Sequence, residues 1–337
     1  MKRIGFLTFG HWSDVPGSLV RSAADALNQT IELAVAAEEV GAHGAFVRVH
    51  HFAPQLASPF PLLAAMAART SRIELGTAVI DMRYENPLYA AESAAAADLI
   101  SGGRLQLGIS RGSPEPAERG YESFGHVPAN DGTDADMARA HTELFRAAIA
   151  GARVAYSDPL STGKRVPLPI EPRSETLSER IWWGAGSRAT SVWAAEQGMN
   201  LMSSTLLTED TGVPLAELQA EQITVFRAAW TAAGHQREPR VSVSRSILPI
   251  IDDQTRHYFG LRAQADARDQ VGYIGGDLAR FGRSYIGEPD VIARELAQDA
   301  AVRDADTILV TVPNQLGVDF NARILGSIVT DIAPSLG

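Results

Sequence analysis

The chain of 337 residues contains no cysteine, which removes disulfides, thiolate metal sites and a cysteine nucleophile together. No apolar run approaches the roughly 18 residues of a membrane span, and the opening MKRIGFLTFG has too short an apolar core for a signal peptide. Positive charge is in deficit: 30 Lys and Arg stand against 40 Asp and Glu, a formal charge of −10 with a pI near 5.3. Phosphate backbones demand a basic face, so nucleic acid is excluded as the main partner. These absences lead us to expect a cytoplasmic protein with no membrane and no nucleic-acid role.

What is present is the material of an enzyme core. Hydrophobic residues make up 45% of the chain, enough to bury a large interior, and no linker divides residues 1–337, so one domain is expected. Apolar strand patterns at 3–9, 45–49, 73–79, 105–110, 181–183, 200–202, 241–250 and 307–312 alternate with helical patterns. The helices at 61–70 and 87–100 carry Pro in their first turns; others fall at 28–40, 190–198, 289–298 and 322–332. Repeated βα units fit an open doubly wound sheet or a closed barrel, and eight of them favour an α/β fold of the (β/α)8 TIM-barrel type. Long irregular segments at 112–133, 205–214 and 252–288 leave strand C-termini and are expected to stand over the active face, whereas 157–178 precedes the fifth strand.

Residues 180–202, RIWWGAGSRATSVWAAEQGMNLM, read as strand, tight turn, helix, strand. The unpaired N–H groups of such a helix start make a phosphate seat at Gly186, Ser187 and Thr190; an ordinary connection packed with small residues fits the same letters. The turn also satisfies G-x-G-x-x-A, but the following strand ends Leu201-Met202-Ser203-Ser204 without the acidic residue a nicotinamide fingerprint needs.

His50 and His51 are adjacent on a strand and therefore point to opposite faces, which disfavours chelation of one ion. The other histidines show no ligand spacing either, so no metal is expected. Alternation places Phe46, Arg48 and His50 on one face and the apolar Ala45, Val47 and Val49, with His51, on the other. The second set suits a helix-covered exterior, so His50 is expected to face inward, as a proton-exchanging group or as a satisfied structural histidine. Arg48 and Asp81 are expected to pair on the active face, holding substrate or structure.

Three blocks carry a family resemblance over nearly the whole chain: Val49-His50-His51-Phe52; residues 72–112 with Gly76-Thr77-Ala78, Asn86-Pro87, Ser101-Gly102-Gly103-Arg104 and Arg111-Gly112; and the turn at 184–198. Together they resemble the bacterial luciferase-like flavin-dependent monooxygenases. The resemblance implies a TIM barrel that binds reduced FMN at the strand C-termini, with phosphate contacts at Arg111, Ser113, Gly186, Ser187 and Thr190. It implies ring neighbours at Ala78, Val79, Ser110 and, more weakly, Ser204, a catalytic His50, and a cis peptide between Ala78 and Val79. It also implies O2, a small organic substrate, a separate flavin reductase, and a homodimer through the alanine-rich helices 61–70 and 87–100. A deazaflavin-dependent dehydrogenase or a non-catalytic flavin-binding protein would use the same scaffold. Asn86 replaces the luciferase histidine before proline, Ser110 its cysteine, and residues 80–85 depart from the family's apolar continuation, so luciferase's aldehyde specificity does not carry over.

Overall fold

Eight short apolar segments form parallel strands: β1 Arg3–Thr8, β2 Gly44–Val47, β3 Glu74–Asp81, β4 Leu105–Ser110, β5 Ile181–Ala185, β6 Asn200–Ser203, β7 Val241–Pro249 and β8 Thr307–Thr311. The computed structural model describes residues 1–112, 115–129, 131–207, 212–261, 263, 266, 268–274 and 277–337. Each strand pairs with its successor, and β8 returns to β1, so the sheet closes as a barrel. Leu7, Phe46, Ala78, Trp182, Met202 and Leu309 fill its interior. A larger apolar shell packs between the strands and the surrounding helices. This is the expected (β/α)8 barrel.

The helices that follow the eight strands are α1 Ala23–Glu39, α2 Pro59–Arg69, α3 Pro87–Ser101, α4 Asp134–Ile149, α5 Arg188–Glu196, α6 Leu215–Ala232, α7 Pro289–Leu296 and α8 Val318–Ser327. Helix α1 begins five residues before the expected start, because Ser22 and Asp25 form a reciprocal capping box there. Proline occupies the first turn of α2, α3 and α7, where its missing N–H has no intrahelical partner to lose.

At the N-terminal end of the barrel, Glu74 meets Arg3 at 3.0 Å and accepts two hydrogen bonds from Arg240, at 2.9 and 3.0 Å. A charge cluster at this end supports the barrel and leaves the opposite end for chemistry. There, β3 shifts register against β4 between Thr77 and Ile80, and the Ala78–Val79 peptide is cis. The segments expected to be irregular prove partly regular. Residues 252–288 contain helix Asp253–Phe259, the antiparallel strands Gln270–Ile274 and Asp277–Phe281, and strand Ser284–Gly287 beside β7. Asp277–Phe281 also pairs with Leu206–Leu207, so the segments after β6 and β7 are stitched together.

Candidate functional site

A cavity of about 610 Å³ lies over the C-terminal ends of the strands. Every strand end reaches it: Leu7 from β1, Arg48 just past β2, Ala78 and Val79 from β3, Ser110 from β4, Trp183 and Gly184 from β5, Met202 and Ser203 from β6, Ser244 from β7 and Leu309 from β8. The volume falls within the range of small-molecule and cofactor sites. Consecutive residues Ala78 and Val79 both line it, as expected where a register shift re-aims side chains.

One side of the cavity is formed by the turn between β5 and α5. Gly184 brings β5 close to β3: a Cβ there would stand 3.0 Å from Val79 Cγ1. At Gly186 a Cβ would meet nothing within 4 Å, so the backbone faces open space on the cavity wall. Ser187 then caps α5, its hydroxyl accepting from the Thr190 N–H at 3.3 Å, with the two hydroxyls 3.1 Å apart. Gln222 of α6 fixes this turn from behind. Its Nε2 donates to the Ala185 and Ser187 carbonyls at 3.2 and 3.0 Å, and its Oε1 accepts from Ser203 Oγ. Ser204, also on the wall, is tied through its N–H to the Ala185 carbonyl.

Of the arginines that line the same cavity, Arg111 is exposed at the end of β4, and Arg139 of α4 places its Cζ 5.8 Å from the Trp193 ring centroid. Among the described residues neither forms an ion pair. A cavity lined by such cations and by a helix N-terminus is positive overall, and an anion bound in it would offset both. Arg188 instead pairs with Glu221 at 2.8 Å and does not line the cavity. Ser113 lies outside the described residues.

The opposite side departs from expectation. β2 ends at Val47, so strict alternation does not extend to the two histidines. Arg48 does face the cavity. His51 is not on a helix-covered exterior: it is buried, its ring stacked on Tyr84 at 4.1 Å and edge-on to Phe124. His50 does not line the cavity. Its Nδ1 lies 3.0 Å from Oε1 of Glu115, whose other oxygen accepts the His51 N–H at 3.1 Å, and it is Glu115 that reaches the wall. Burial lowers the pKa of His51 and of Arg48, with the Glu115 charge opposing both shifts.

The expected Arg48–Asp81 pair is also corrected. Asp81 is buried, and its carboxylate is held by Arg83 through Nε at 3.0 Å and Nη2 at 2.6 Å; Arg83 in turn reaches Asp134 at 2.8 Å. Toward Arg48, Asp81 acts only as a nearby charge that opposes the effect of burial. Burial pushes the Asp81 carboxyl up to about 6 against the pull of Arg83. Burial disfavours the Arg83 cation, but hydrogen bonds and charge from Asp81 and Asp134 outweigh it and raise its pKa. Gly112 has φ +84 and lies directly over Asp81, where a Cβ would stand 2.0 Å from the carboxylate oxygen.

Ala78, Val79, Ser110, Arg111, Gly186, Ser187, Thr190, Ser204 and Arg48 thus share one cavity, while His50 and Asp81 stand behind its wall. Glu115, Arg139 and Gln222 are the contributions sequence reading missed. The residues present suit a phosphorylated planar cofactor: two cations and a helix start share the cavity with the apolar surface of Leu7, Ala78, Met202 and Leu309. Trp183 adds a buried indole N–H with no hydrogen-bond partner among the described residues.

The family model for luciferase-like monooxygenases matches residues 1–285. The oxygenase component of flavin-dependent trigonelline monooxygenase from Acinetobacter baylyi is 27% identical, over 55% of this chain and 51% of that relative. The chain spans about half the length of the curated relatives it matches. Among solved structures, the oxygenating constituent of 3,6-diketocamphane monooxygenase from Pseudomonas putida, in complex with FMN, superposes with a TM-score of 0.69 at 16% identity, over 99% of both chains. The coenzyme F420-dependent tetrahydromethanopterin reductase of Methanopyrus kandleri gives 0.65 at 15% identity, over 100% of this chain and 99% of that one.

Proposed function

The chain belongs to the luciferase-like monooxygenase family, and from that membership we propose that it is the oxygenase component of a two-component flavin monooxygenase. It takes reduced FMN from a separate reductase, uses O2, and oxidises a small organic molecule in the cytoplasm. The observation that carries this reading is the cavity that Arg111 and Arg139 share with the capped start of α5 and with Gly186, where a Cβ would meet nothing within 4 Å. When bound, reduced FMN supplies the two electrons that, with O2, place one oxygen atom in the substrate and convert the other to water. Arg111, Arg139, Ser187, Thr190 and Gly186 hold its phosphate, with Ser113 added by family resemblance. Ala78, Val79 and Ser110, with Ser204 nearby, flank its ring. Arg48 faces the remaining space as a substrate contact, and Asp81 serves structure through Arg83.

The test is binding. Hydrogen bonds to charged groups contribute about 1.5–3 kcal/mol, and 1.4 kcal/mol is a factor of about ten. Arg111→Ala is therefore expected to weaken FMN at least about tenfold while leaving riboflavin, which lacks the phosphate, unchanged. Equal losses for both ligands assign Arg111 to structure and move the seat elsewhere. Titration with F420 alongside FMN separates the monooxygenase reading from a deazaflavin-dependent dehydrogenase: tighter binding of F420 reverses the assignment. FMN bound without oxidation of any organic compound when reductase and O2 are supplied leaves a non-catalytic flavin carrier.

A further inference from the structure

Glu115 and His50 connect the cavity to the outside of the barrel mouth. The Glu115 side chain is 2% exposed and lines the cavity, whereas His50 lies off the wall and keeps 13% of its side chain exposed. They meet at 3.0 Å between Oε1 and Nδ1, and the His51 N–H holds the second carboxylate oxygen at 3.1 Å. That second bond fixes the plane of the carboxylate. Phe9 lies nearly parallel to the imidazole, with 6.3 Å between ring centroids.

From this geometry we propose that Glu115 and His50 form a two-group proton relay, in which the carboxylate serves the cavity and the histidine replenishes it from solvent. In one passage the Nδ1 proton of His50 moves to Glu115 Oε1 and from there to an acceptor in the cavity, while Nε2 takes a proton from solvent; tautomer exchange through solvent then restores the Nδ1–H form. At the imidazole one N–H bond breaks and one forms. At the carboxylate an O–H bond forms and breaks, the acceptor gains one proton, and no electron moves. Such transfers need donor and acceptor within hydrogen-bond reach, which the 3.0 Å contact between His50 and Glu115 satisfies. His50 thereby acts through Glu115 rather than on the reacting atoms.

The inference rests on the flavin reading only for the reaction that consumes the proton. Anionic reduced FMN, O2 and one proton give FMN and hydrogen peroxide, a reaction that requires no substrate. Other titratable or charged groups face the pair: Arg48, Asp81, Tyr84 and His51 around Glu115, and His11 beside His50. A pH profile alone would therefore mix several groups, and dependence on buffer concentration is the sharper readout.

Two measurements decide it. In the ligand-free protein, nitrogen–proton correlation of the imidazole should find the neutral His50 protonated on Nδ1. A proton on Nε2 alone leaves Nδ1 unable to donate and overturns the relay, whatever the cofactor. In the second, FMN affinity is measured for the wild type, Glu115→Gln, His50→Gln and the double variant. Bound, dithionite-reduced FMN is then reoxidised by O2 in a single turnover. Affinities should agree within about twofold, and each single variant should reoxidise the flavin at least about tenfold more slowly. The double variant should be no slower than the slower single, because both residues serve one path. Variant rates should rise with buffer concentration, and the wild-type rate should not. Multiplying losses, or single variants that keep the wild-type rate, overturn the relay. A wild type that binds no FMN defeats the flavin reading, and the imidazole measurement still decides the relay.

Discussion

Glu85 occupies the short connection between β3 and α3, where burial first and the Asp81 charge second push its carboxyl up to about 7. A carboxyl whose folded pKa exceeds its unfolded value of 4.5 binds more protons in the native state across that window. The protein is therefore penalised for ionising it as pH rises from 4.5 to 7, and the penalty is complete above 7. The separation between the two values corresponds to at most about 3 kcal/mol. Glu85→Gln is expected to raise the urea midpoint at pH 8 and to leave it nearly unchanged at pH 4.5. A midpoint shift equal at both values means the gain comes from packing, not charge. Single residues were legible where backbone grammar exposes them. Gly186, Ser187 and Thr190 stand in a strand–turn–helix pattern, and Arg111 directly follows a strand. Glu115 and Arg139 were not legible because the former lies in an irregular segment and the latter is exposed on a helix that the sequence pattern does not mark. Neither position signals its direction without the fold. His50 misled for a related reason: alternation holds only inside a strand, and β2 stops three residues before it.

Helix α6 shows why some elements hide. Its buried face is Leu215, Leu218, Gln219, Gln222, Ile223, Phe226 and Trp230, a helical stripe interrupted by two glutamines. Those glutamines blur the apolar period and are also the residues that tie α6 to the barrel mouth. Gln222 holds the Ala185 and Ser187 carbonyls, and Gln219 donates to the Ser204 carbonyl at 2.8 Å. Leucine at 222 would leave the buried Ser203 hydroxyl without its acceptor, at about 1–3 kcal/mol, and would strip one of the hydrogen bonds from each of the Ala185 and Ser187 carbonyls. Gln222→Leu is expected to lower the thermal midpoint and to weaken FMN more than riboflavin, because the turn it supports is the phosphate end. A variant that loses stability with both ligands weakened alike would show that Gln222 supports the barrel and not the seat. Helix α4 was hidden differently. It starts from the capping box of Thr133 and Asp136, directly after a segment whose Gly, Pro and charge content reads as loop.

For the whole molecule, eight βα units in one chain made the barrel legible, since each strand carries its own apolar pattern and each turn its own Gly or Pro. Assembly is a separate matter, and α3 bears on it. Its inward face is Ala90, Ala91, Ala94, Ala95 and Ala97, packed against the barrel. Its outward stripe is Tyr89, Ser93, Ala96 and Ile100, spaced at helical period, with Leu99 beside it. Tyr89 is 73% exposed, Ile100 55% and Leu99 53%. Helix α3 packs on α2, so the pair presents one broad surface, and small residues at its centre permit another helix to approach closely. The expected outcome is a homodimer in which the α2–α3 pairs of two protomers meet as a four-helix bundle. Sedimentation at micromolar concentration should then give twice the 36.1 kDa chain mass. Ala96→Glu, which places a charge in the middle of the stripe without disturbing the inward alanines, should return the protein to monomers with unchanged helical content. Wild-type protein sedimenting at 36.1 kDa under the same conditions rules the dimer out. A dimer that survives Ala96→Glu places the interface on another face of the barrel.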